Sequence, residues 1–477
     1  MKTGEPSNTA ASRNTRELGT ERIGKLMWKY FLPAFVGVIA NALYNIVDRI
    51  YIGRGVGAEA LSGLSVIFPV MLIVMAFGML IGIGSGVNIS ISLGQKNLKR
   101  AEKILGNGFV LMIVVSIMVS VVGFLIKTPM LKLFGATEET LGYAHEYLNI
   151  ILVGAVFSVV GFSMNNIIRS EGNARIAMYS MLLSAGSNII LDPIFIFVFD
   201  LGVKGAAYAT VLSMMILNVW VISHFLSKRS VIRLRLSNFK LDLGIIGRIA
   251  AVGMAPFSMQ IAASGVQGLF TTQLIQYGGD LAVGALGIII SVASLLIMSM
   301  VSINMASQPI IGFNFGAKDY DRVKKTVRLG IMAASAVAFS SWLLVELAPS
   351  WLVRLFNTDN PEMIGMAVEG MRIYLAALPI VGFQIVAANF FQSIGKAKMA
   401  TFLSLLRQLI ILLPLLLILP GFWGLAGVWL CGPVADTFSA VITGFFLARQ
   451  LKKLTADQEA HPVEEDLALD RAGYIGE

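Results

Sequence analysis

The sequence predicts an all-α polytopic membrane protein whose twelve transmembrane helices form two pseudo-symmetric six-helix lobes. Three observations support this fold class: the composition, the spacing of the apolar runs and an internal repeat. Of the 477 residues, 56% are hydrophobic and only 14% are charged, which is too apolar for soluble domains. At about 20 residues per crossing plus short loops, the chain accommodates roughly twelve helices.

Apolar runs long enough to cross a bilayer recur along the chain. Six of them lie at about residues 27–51, 60–84, 104–126, 143–168, 176–199 and 203–226. Six more lie at about residues 245–270, 282–307, 326–348, 366–390, 399–420 and 424–448. Residues 227–244 form the longest polar connection, so we expect them to be a cytoplasmic linker between two lobes, residues 27–226 and 245–449.

Basic residues indicate the orientation of these crossings. Lysine and arginine are concentrated in segment 1–26, in alternate loops, in the linker and at Arg449, Lys452 and Lys453, whereas the opposite loops carry few. Cytoplasmic loops carry such an excess. We therefore expect a multi-pass protein of the bacterial cytoplasmic (inner) membrane, with a polar segment 1–26 and an acidic tail 450–477 both in the cytoplasm. The net charge of +9 follows from this topology and does not indicate nucleic-acid binding.

The two halves repeat each other. A shift of 222 residues superimposes their polar loops, as in the pairs Gly94 on Gly316, Lys96 on Lys318, Lys103 on Lys325 and Gly108 on Gly330. Chance similarity among leucine-rich helices explains this match less well, because the matched loops are polar and keep their spacing. Each half has an even number of crossings, so we expect the lobes to be related by an axis along the membrane normal.

The fifth run contains residues that transmembrane helices ordinarily avoid. Asp192 would lie in hydrocarbon, where a carboxylate costs about 2.5–3.5 kcal/mol on insertion scales. Pro193 cannot donate the helical hydrogen bond to the carbonyl of Ile189. Asn188 lies one turn from Asp192 on the same face. We therefore expect these groups to converge on one cation or one proton, the alternative being an inert helix break capped by Asp192.

Depth selects further members of this cluster. At 1.5 Å per residue, Asp48, Asp192 and Thr210 all lie about 8–10 Å below the outer surface, and Tyr44 lies one turn deeper than Asp48. We expect cation or proton coupling at Asp48, Asp192, Asn188, Thr210 and Tyr44, because one of two close carboxylates readily takes a proton. Oxygen ligands also suit a sodium-like ion, so we expect a Na⁺ site at Asp48, Asp192, Asn188 and Thr210.

The cluster has no counterpart in the repeat. The shift places Asp48 on Phe270, and the region of Asp192 falls near Pro414. We therefore expect membrane acids, and ion coupling, in the first lobe alone. For Asp48, an outward-facing ion pair with the adjacent Arg49 is the alternative.

The second lobe offers neutral polar residues among apolar ones. We expect a substrate cleft to include four of them: Gln260, Gln267, Asn304 and Gln384. The 23 methionines of the chain suit walls that adapt to varied apolar shapes. Arg407, about 12 Å from the cytoplasmic end of its helix, is expected either to extend to the interface or to form an ion pair.

These patterns resemble a known family. The chain carries a set of residues that is similar to that of the multidrug and toxic compound extrusion (MATE) family. The set comprises Pro33, Tyr44, Asp48 and Gly53 in the first run, Gly94 and Lys96 after the second, Arg169, Gly172 and Asn173 after the fourth, and Asn188, Asp192 and Pro193 in the fifth. The resemblance covers about residues 25–450 and is strongest to the bacterial DinF-like or MepA-like branch. It implies two six-helix lobes, with the acid pair and its neighbours at the positions named above.

The resemblance also implies a function. We expect a secondary active antiporter that exports organic cations or amphipathic drugs in exchange for H⁺ or Na⁺, embedded in the lipid bilayer, functional as a monomer and without a cofactor. One branch of the family carries carboxylates in the seventh and tenth crossings, where this sequence has Gln260 and Ala388.

Two other classes of protein compete with the antiporter. A lipid-linked or polysaccharide flippase of related two-lobe architecture is the alternative, and a cleft rich in arginines would favour it. A membrane enzyme would need clustered His, Asp or Ser side chains near one interface, and the sequence lacks such a cluster and a phosphate-binding Gly-Lys-Ser/Thr loop. We therefore expect no enzymatic activity.

Overall fold

The computed structural model describes residues 10–356 and 360–460, and all regular structure in them is helical. The helices of the first half are α1 (Ala10–Thr20), α2 (Ile23–Gly55), α3 (Ala58–Gly94), α4 (Leu98–Leu133), α5 (Glu138–Ser170), α6 (Ala174–Pro193), a π-helical turn (Ile194–Val198) and α7 (Gly202–Leu226). The linker contains one 3₁₀ turn (Leu236–Asn238). The predicted all-α class is confirmed.

The second half contains fewer but longer helices. They are α8 (Leu243–Gly316), α9 (Tyr320–Leu347), α10 (Pro349–Arg354), α11 (Pro361–Tyr374), α12 (Leu378–Ser393), α13 (Ala397–Leu405), a second π-helical turn (Leu406–Leu412) and α14 (Leu413–Ala460). Residues 1–9 of the predicted amino-terminal segment and residues 461–477 of the predicted acidic tail lie outside the described residues.

Nine helices in the described ranges are long and apolar enough to cross a membrane, or ten if α11 and α12, bent by 50°, form one span. Two of the nine are long enough to cross a bilayer twice. The 74 residues of α8 correspond to about 110 Å at 1.5 Å per residue, against a hydrocarbon core of about 30 Å. The helical path is interrupted in α8 at Gly279 and in α14 at Gly424, where φ is 67° and 55°. Twelve crossings stay a prediction.

The chain folds into two compact units. The first unit comprises the described residues up to Gly19 and Leu32–Gln260, and the second comprises Thr20–Phe31 and the described residues from Ile261. The domain boundaries given above stay predictions.

Helix α5 lies at the centre of the first unit, where it packs against α3, α4, α6 and α7. Buried polar side chains fix these contacts by donating to backbone carbonyls of a neighbouring helix. Ser163 donates to Gly78 of α3 at 2.9 Å, Asn165 to Ala177 of α6 at 2.8 Å, and Asn218 of α7 to Phe157 at 2.7 Å. Such bonds hold the helices in one register even though apolar side chains alone would tolerate sliding.

A buried polar cluster holds the loop between α5 and α6. Glu171 is fully buried. Its carboxylate accepts hydrogen bonds from Ser230 and Asn173, both at 2.7 Å, and lies 2.5 Å from Nε2 of His224. Thr15 of α1 donates to the Glu171 carbonyl at 2.5 Å. The cluster therefore joins α1, the loop after α5, the end of α7 and the start of the linker.

The core of the second unit is apolar and lies between α8, α9, α11, α12 and α14. Its buried members include Phe270, Met371 and Trp429. The ring of Phe270 meets the ring of Tyr374 edge-on at a centroid distance of 5.8 Å. This packing draws on both halves of α8, so the break at Gly279 folds the helix back onto one core.

Candidate coupling site

Asp192 lies in the last turn of α6, directly before the first π-helical turn. Pro193 has no N–H to donate, so regular α-helical bonding cannot continue through it. The chain continues instead with a wider turn, in which the N–H of Phe199 bonds the carbonyl of Ile194 at 2.9 Å and that of Leu201 bonds Phe195 at 3.1 Å. Single π-helical turns inside α-helices occur frequently at functional sites.

Two glycines on α2 allow Asp48 to approach Asp192. A Cβ atom at Gly37 would lie 2.8 Å from Sδ of Met181 in α6, and one at Gly55 would lie 2.6 Å from Cγ2 of Ile196 in the π-helical turn. Both distances are shorter than the van der Waals contact between such atoms. Because neither residue carries a side chain, α2 lies closely against α6 and the π-helical turn that follows it, on both sides of Asp48.

The structure brings together four of the predicted coupling residues. Nδ2 of Asn188 lies 3.3 Å from Oδ1 of Asp192 and 3.4 Å from Oγ1 of Thr210. The carboxyl groups of Asp48 and Asp192 are close enough to interact with each other. The exposed fractions are 8% for Asp48, 1% for Asn188, 0% for Asp192 and 4% for Thr210. The cluster is therefore buried and formed by α2, α6 and α7.

Neither structural alternative for the two acids describes this arrangement. Arg49 is exposed and lies over the ring of Phe68 at 5.6 Å, and no ion pair joins it to Asp48 in the part of the chain that the structure describes. Within the same ranges, Asp192 accepts no bond from a backbone N–H, so it does not cap a helix.

Two tyrosines border the cluster. The predicted residue Tyr44 is partly buried on α2, within electrostatic range of both acids. Tyr147 of α5 is 2% exposed and lies beside Thr210; it was not among the predicted site residues. Its depth in the membrane is the signal that identifies it. The distance of Tyr147 from the outer end of the fourth run is about the same as the distances of Asp48 and Asp192 from the outer ends of the first and fifth runs.

Three buried oxygens of the cluster have no hydrogen-bond donor among the described residues. They are Oδ1 of Asp48, Oδ2 of Asp192 and Oδ1 of Asn188. An unsatisfied buried acceptor costs about 1–3 kcal/mol, and more when it is charged. A proton on one carboxyl group would supply a donor, and a cation with a preference for oxygen ligands would satisfy all three. The chemistry of these groups therefore fits a proton or a Na⁺ ion.

The predicted cleft residues of the second lobe lie in different environments. Gln267 is exposed, Gln260 and Asn304 are partly buried, and Gln384 is 7% exposed. Nε2 of Gln384 donates to Oγ of Ser439 at 2.5 Å. No hydrogen bond joins any two of the four residues within the described ranges, and their role in a cleft stays a prediction.

The prediction that membrane acids are confined to the first lobe is wrong. Asp436 of α14 lies within the last apolar run and is 6% exposed. Its Oδ1 accepts a hydrogen bond from Nε of Arg407, which lies in the second π-helical turn. The position of Asp436 within the apolar run at about residues 424–448 is the sequence signal that marks it as a membrane acid. Arg407 therefore forms an ion pair, and this pairing neutralises the charge that made Asp436 unexpected in a crossing.

Comparisons with known proteins agree with the helical architecture. A family model described as MatE matches residues 33–194 and 256–418. The multidrug export protein MepA of Staphylococcus haemolyticus is 27% identical over 436 residues, which cover 91% of this chain and 96% of that protein. MepA of Staphylococcus aureus strain N315 is 28% identical, with 91% and 95% of the two chains covered.

Solved structures give the same result. The MATE multidrug transporter DinF-BH, whose structure was solved as a complex, is 39% identical, with a TM-score of 0.84 over 90% of this chain and 98% of that one. A MATE structure described as being in the bent conformation is 24% identical, with a TM-score of 0.88 over 94% and 99% of the two chains. The second match shows the two-lobe fold alone.

Proposed function

This chain belongs to the MatE family, the multidrug and toxic compound extrusion (MATE) transporters, and we propose that it is an antiporter that exports organic cations and amphipathic drugs in exchange for H⁺ or Na⁺. The names of its relatives support this proposal, since MepA is a multidrug export protein and DinF-BH is a MATE multidrug transporter. The chain is a multi-pass membrane protein. Our proposal places it in the cytoplasmic membrane of a bacterium, with both termini in the cytoplasm.

The observation that carries the coupling proposal is the set of unsatisfied oxygens on Asp48, Asn188 and Asp192. Without a bound ion, two adjacent carboxylates repel each other in a low-dielectric environment. Binding of H⁺ or Na⁺ removes this repulsion and favours closure of α2 on α6. A ligand shifts a conformational equilibrium only by its preference for one state, so an ion that favours the closed first lobe drives substrate release.

Asn188 and Thr210 have supporting roles in this mechanism. The amide of Asn188 donates towards both Asp192 and Thr210, and its own carbonyl oxygen, which has no donor among the described residues, is a further acceptor. Tyr44 and Tyr147 border the pair with phenol groups that can donate hydrogen bonds to a carboxylate. In this proposal the chain needs no cofactor, works as a monomer and has no enzymatic activity.

The flippase alternative receives less support from the charges. An anionic lipid-linked substrate would require unpaired cations in the substrate path. Arg407, an arginine within an apolar run of the second lobe, is paired with Asp436 and is therefore not available for this role.

The test is export of a fluorescent organic cation from proteoliposomes, with a proton gradient and a sodium gradient imposed separately. We expect one gradient to drive export by the wild type, and Asp48→Asn and Asp192→Asn each to reduce the driven rate at least tenfold. Asp200→Asn is the matched control, because Asp200 is exposed and lies outside the helices. Normal driven export by folded Asp192→Asn protein would refute the coupling proposal.

A further inference from the structure

A cavity of about 430 Å³ in the first unit is lined by four basic side chains. Lys99, Arg100 and Lys103 lie in the first two turns of α4, and Arg248 lies near the start of α8. The rest of the wall is formed by Asn97, Asp242, Gly244 and Ile245. The cavity therefore lies between the loop after α3 and the point where the linker enters α8.

The basic side chains of the cavity are not neutralised by the protein. No ion pair involves any of the four within residues 10–356 and 360–460. The wall also contains an acid, Asp242, whose Oδ1 accepts hydrogen bonds from the backbone N–H groups of Gly244 at 2.8 Å and Ile245 at 3.3 Å. It therefore caps α8 and does not pair with the cations.

The internal repeat reproduces only part of this cationic cluster in the second unit. The shift of 222 residues places Lys99 on Asp321 and Arg100 on Arg322. In the second unit, Asp321 pairs with Lys324 at 2.9 Å, and Nε of Arg322 donates to Asn314 at 2.9 Å. The shift also places Lys103 on Lys325, which is exposed and forms no ion pair within the described residues, so the second unit keeps one such cation where the first has three.

The cavity is held open by the linker. Nδ2 of Asn107 in α4 donates to the carbonyls of Asn238 at 3.3 Å and Lys240 at 3.2 Å, and its Oδ1 accepts from the N–H of Asp242 at 2.7 Å. Asn107 is 1% exposed. These bonds fix the segment that carries Asp242 against the helix that carries the lysines, so the protein itself holds the walls of the cavity in place.

Exposed apolar side chains flank the cationic cavity. The exposed fractions of Leu98, Leu241 and Leu243 are 44%, 55% and 84%. Two of these leucines lie where the linker enters α8 and the third begins α4, so they lie next to the basic residues. A cationic cavity bordered by exposed leucines at the end of transmembrane helices complements a molecule with an anionic head and apolar chains.

We propose that this cavity binds the headgroup of an anionic phospholipid of the cytoplasmic leaflet. In this site Lys99, Arg100, Lys103 and Arg248 contact the phosphate, and the three leucines contact the acyl chains. A bound lipid bridges α4 and the entry to α8, and so fixes the linker to the first lobe. The site does not depend on the identity of the substrate or of the coupling ion.

In the experiment, the full chain is placed in nanodiscs made of phosphatidylglycerol and phosphatidylcholine and is then purified away from the bulk lipid. The measured quantity is the ratio of the two lipids that remain bound to the protein. We expect the wild type to retain phosphatidylglycerol preferentially. The variant Lys99→Gln, Lys103→Gln, Arg248→Gln should lose this preference by about fivefold for each cation removed, which corresponds to about 1 kcal/mol per basic residue. The matched control is Lys398→Gln, Lys452→Gln, Lys453→Gln, which removes the same charge from exposed residues outside the cavity and should retain the wild-type preference.

Three outcomes would overturn the proposal. Equal loss in the control would mean that net charge, not the cavity, attracts the lipid. Displacement of the lipid by millimolar inorganic phosphate would mean that the cavity is a site for free anions. Loss of the preference in Lys103→Arg, which keeps the charge, would mean that the triple variant acts through folding.

Discussion

At the scale of single residues, the chain differs from an ordinary set of membrane helices by polar atoms that are buried and incompletely bonded. Asp48, Asn188 and Asp192 each retain one oxygen without a donor in the described part of the chain. Most buried polar atoms in proteins are bonded, and exceptions call for an explanation. A binding site for a cation or a proton provides that explanation. The bound ion satisfies the unbonded oxygens, and the free-energy cost that it removes adds to its affinity.

Asn188→Ala tests the role of the amide. The substitution removes one of the three unsatisfied oxygens, so we expect Na⁺ to bind more weakly by roughly tenfold, which corresponds to about 1.4 kcal/mol. It also removes the hydrogen-bond donor that stabilises the charged Asp192 carboxylate, so a proton should bind more tightly than in the wild type. The measurement is the ion concentration that gives half-maximal export. Asn149→Ala serves as the control, because Asn149 bonds Lys127 away from the cluster; an unchanged ion requirement in Asn188→Ala would contradict this role.

At the scale of helices, much of the architecture could be predicted, because a helix that crosses the hydrocarbon of a membrane needs about 20 mostly apolar residues in sequence. The apolar run at about residues 104–126 predicted α4, which begins earlier, at Leu98, because the side chain of Asn97 accepts from the N–H of Arg100 and caps the helix. Apolar composition cannot locate such polar helix ends. The π-helical turn after Pro193 was also beyond prediction in its detail, since the sequence indicated only that a regular bond was missing.

The close approach of α2 to the fifth crossing leads to a second prediction. Gly55→Val would place a side chain against Ile196 and Phe197, whose atoms lie 2.6 Å and 2.8 Å from the position of a Cβ atom. Such overpacking costs about 1–3 kcal/mol, and here it should separate Asp48 from Asp192. We expect gradient-driven export to fall at least fivefold while the protein still reaches the membrane.

The control for this prediction is Gly186→Val. Gly186 lies in the middle of α6, and a Cβ atom there would meet nothing within 4 Å. Export should therefore remain near the wild-type level, and equal losses in the two variants would show that helix propensity, not helix spacing, is measured.

At the scale of the whole chain, the two halves share a repeat but differ in whether their buried acids have a cationic partner. In the first unit the acids Asp48 and Asp192 have no cationic partner among the described residues, whereas in the second unit Asp436 is paired with Arg407. The rarity of charge in apolar runs marks both Asp192 and Asp436 as exceptional. The sequence could therefore predict where a charge is exceptional, whereas its partner in another helix required the structure.

The paired charges lead to a prediction about stability and coupling. Asp436→Asn leaves a cation within a crossing, and we expect a loss of about 3 kcal/mol, the low end of the range for a broken buried pair, because the Arg407 side chain keeps 32% of its surface exposed. Thermal unfolding in detergent measures this loss. The double variant Arg407→Gln, Asp436→Asn removes both charges and should recover more than half of it.

The same double variant also tests where coupling occurs. If the ion binds in the first unit alone, the variant should keep the wild-type dependence of export on the ion gradient. Loss of that dependence in a folded double variant would assign coupling to the second unit as well.

The turn at Ile194–Val198 has one further consequence. A π-helical turn contains one residue more than an α-helical path of the same span. That extra residue can be passed along the helix, and each step rotates the residue that it crosses by about 100° around the axis. A turn displaced past Pro193 to the other side of Asp192 would therefore rotate the Asp192 carboxylate away from α2 and leave the helices on either side intact.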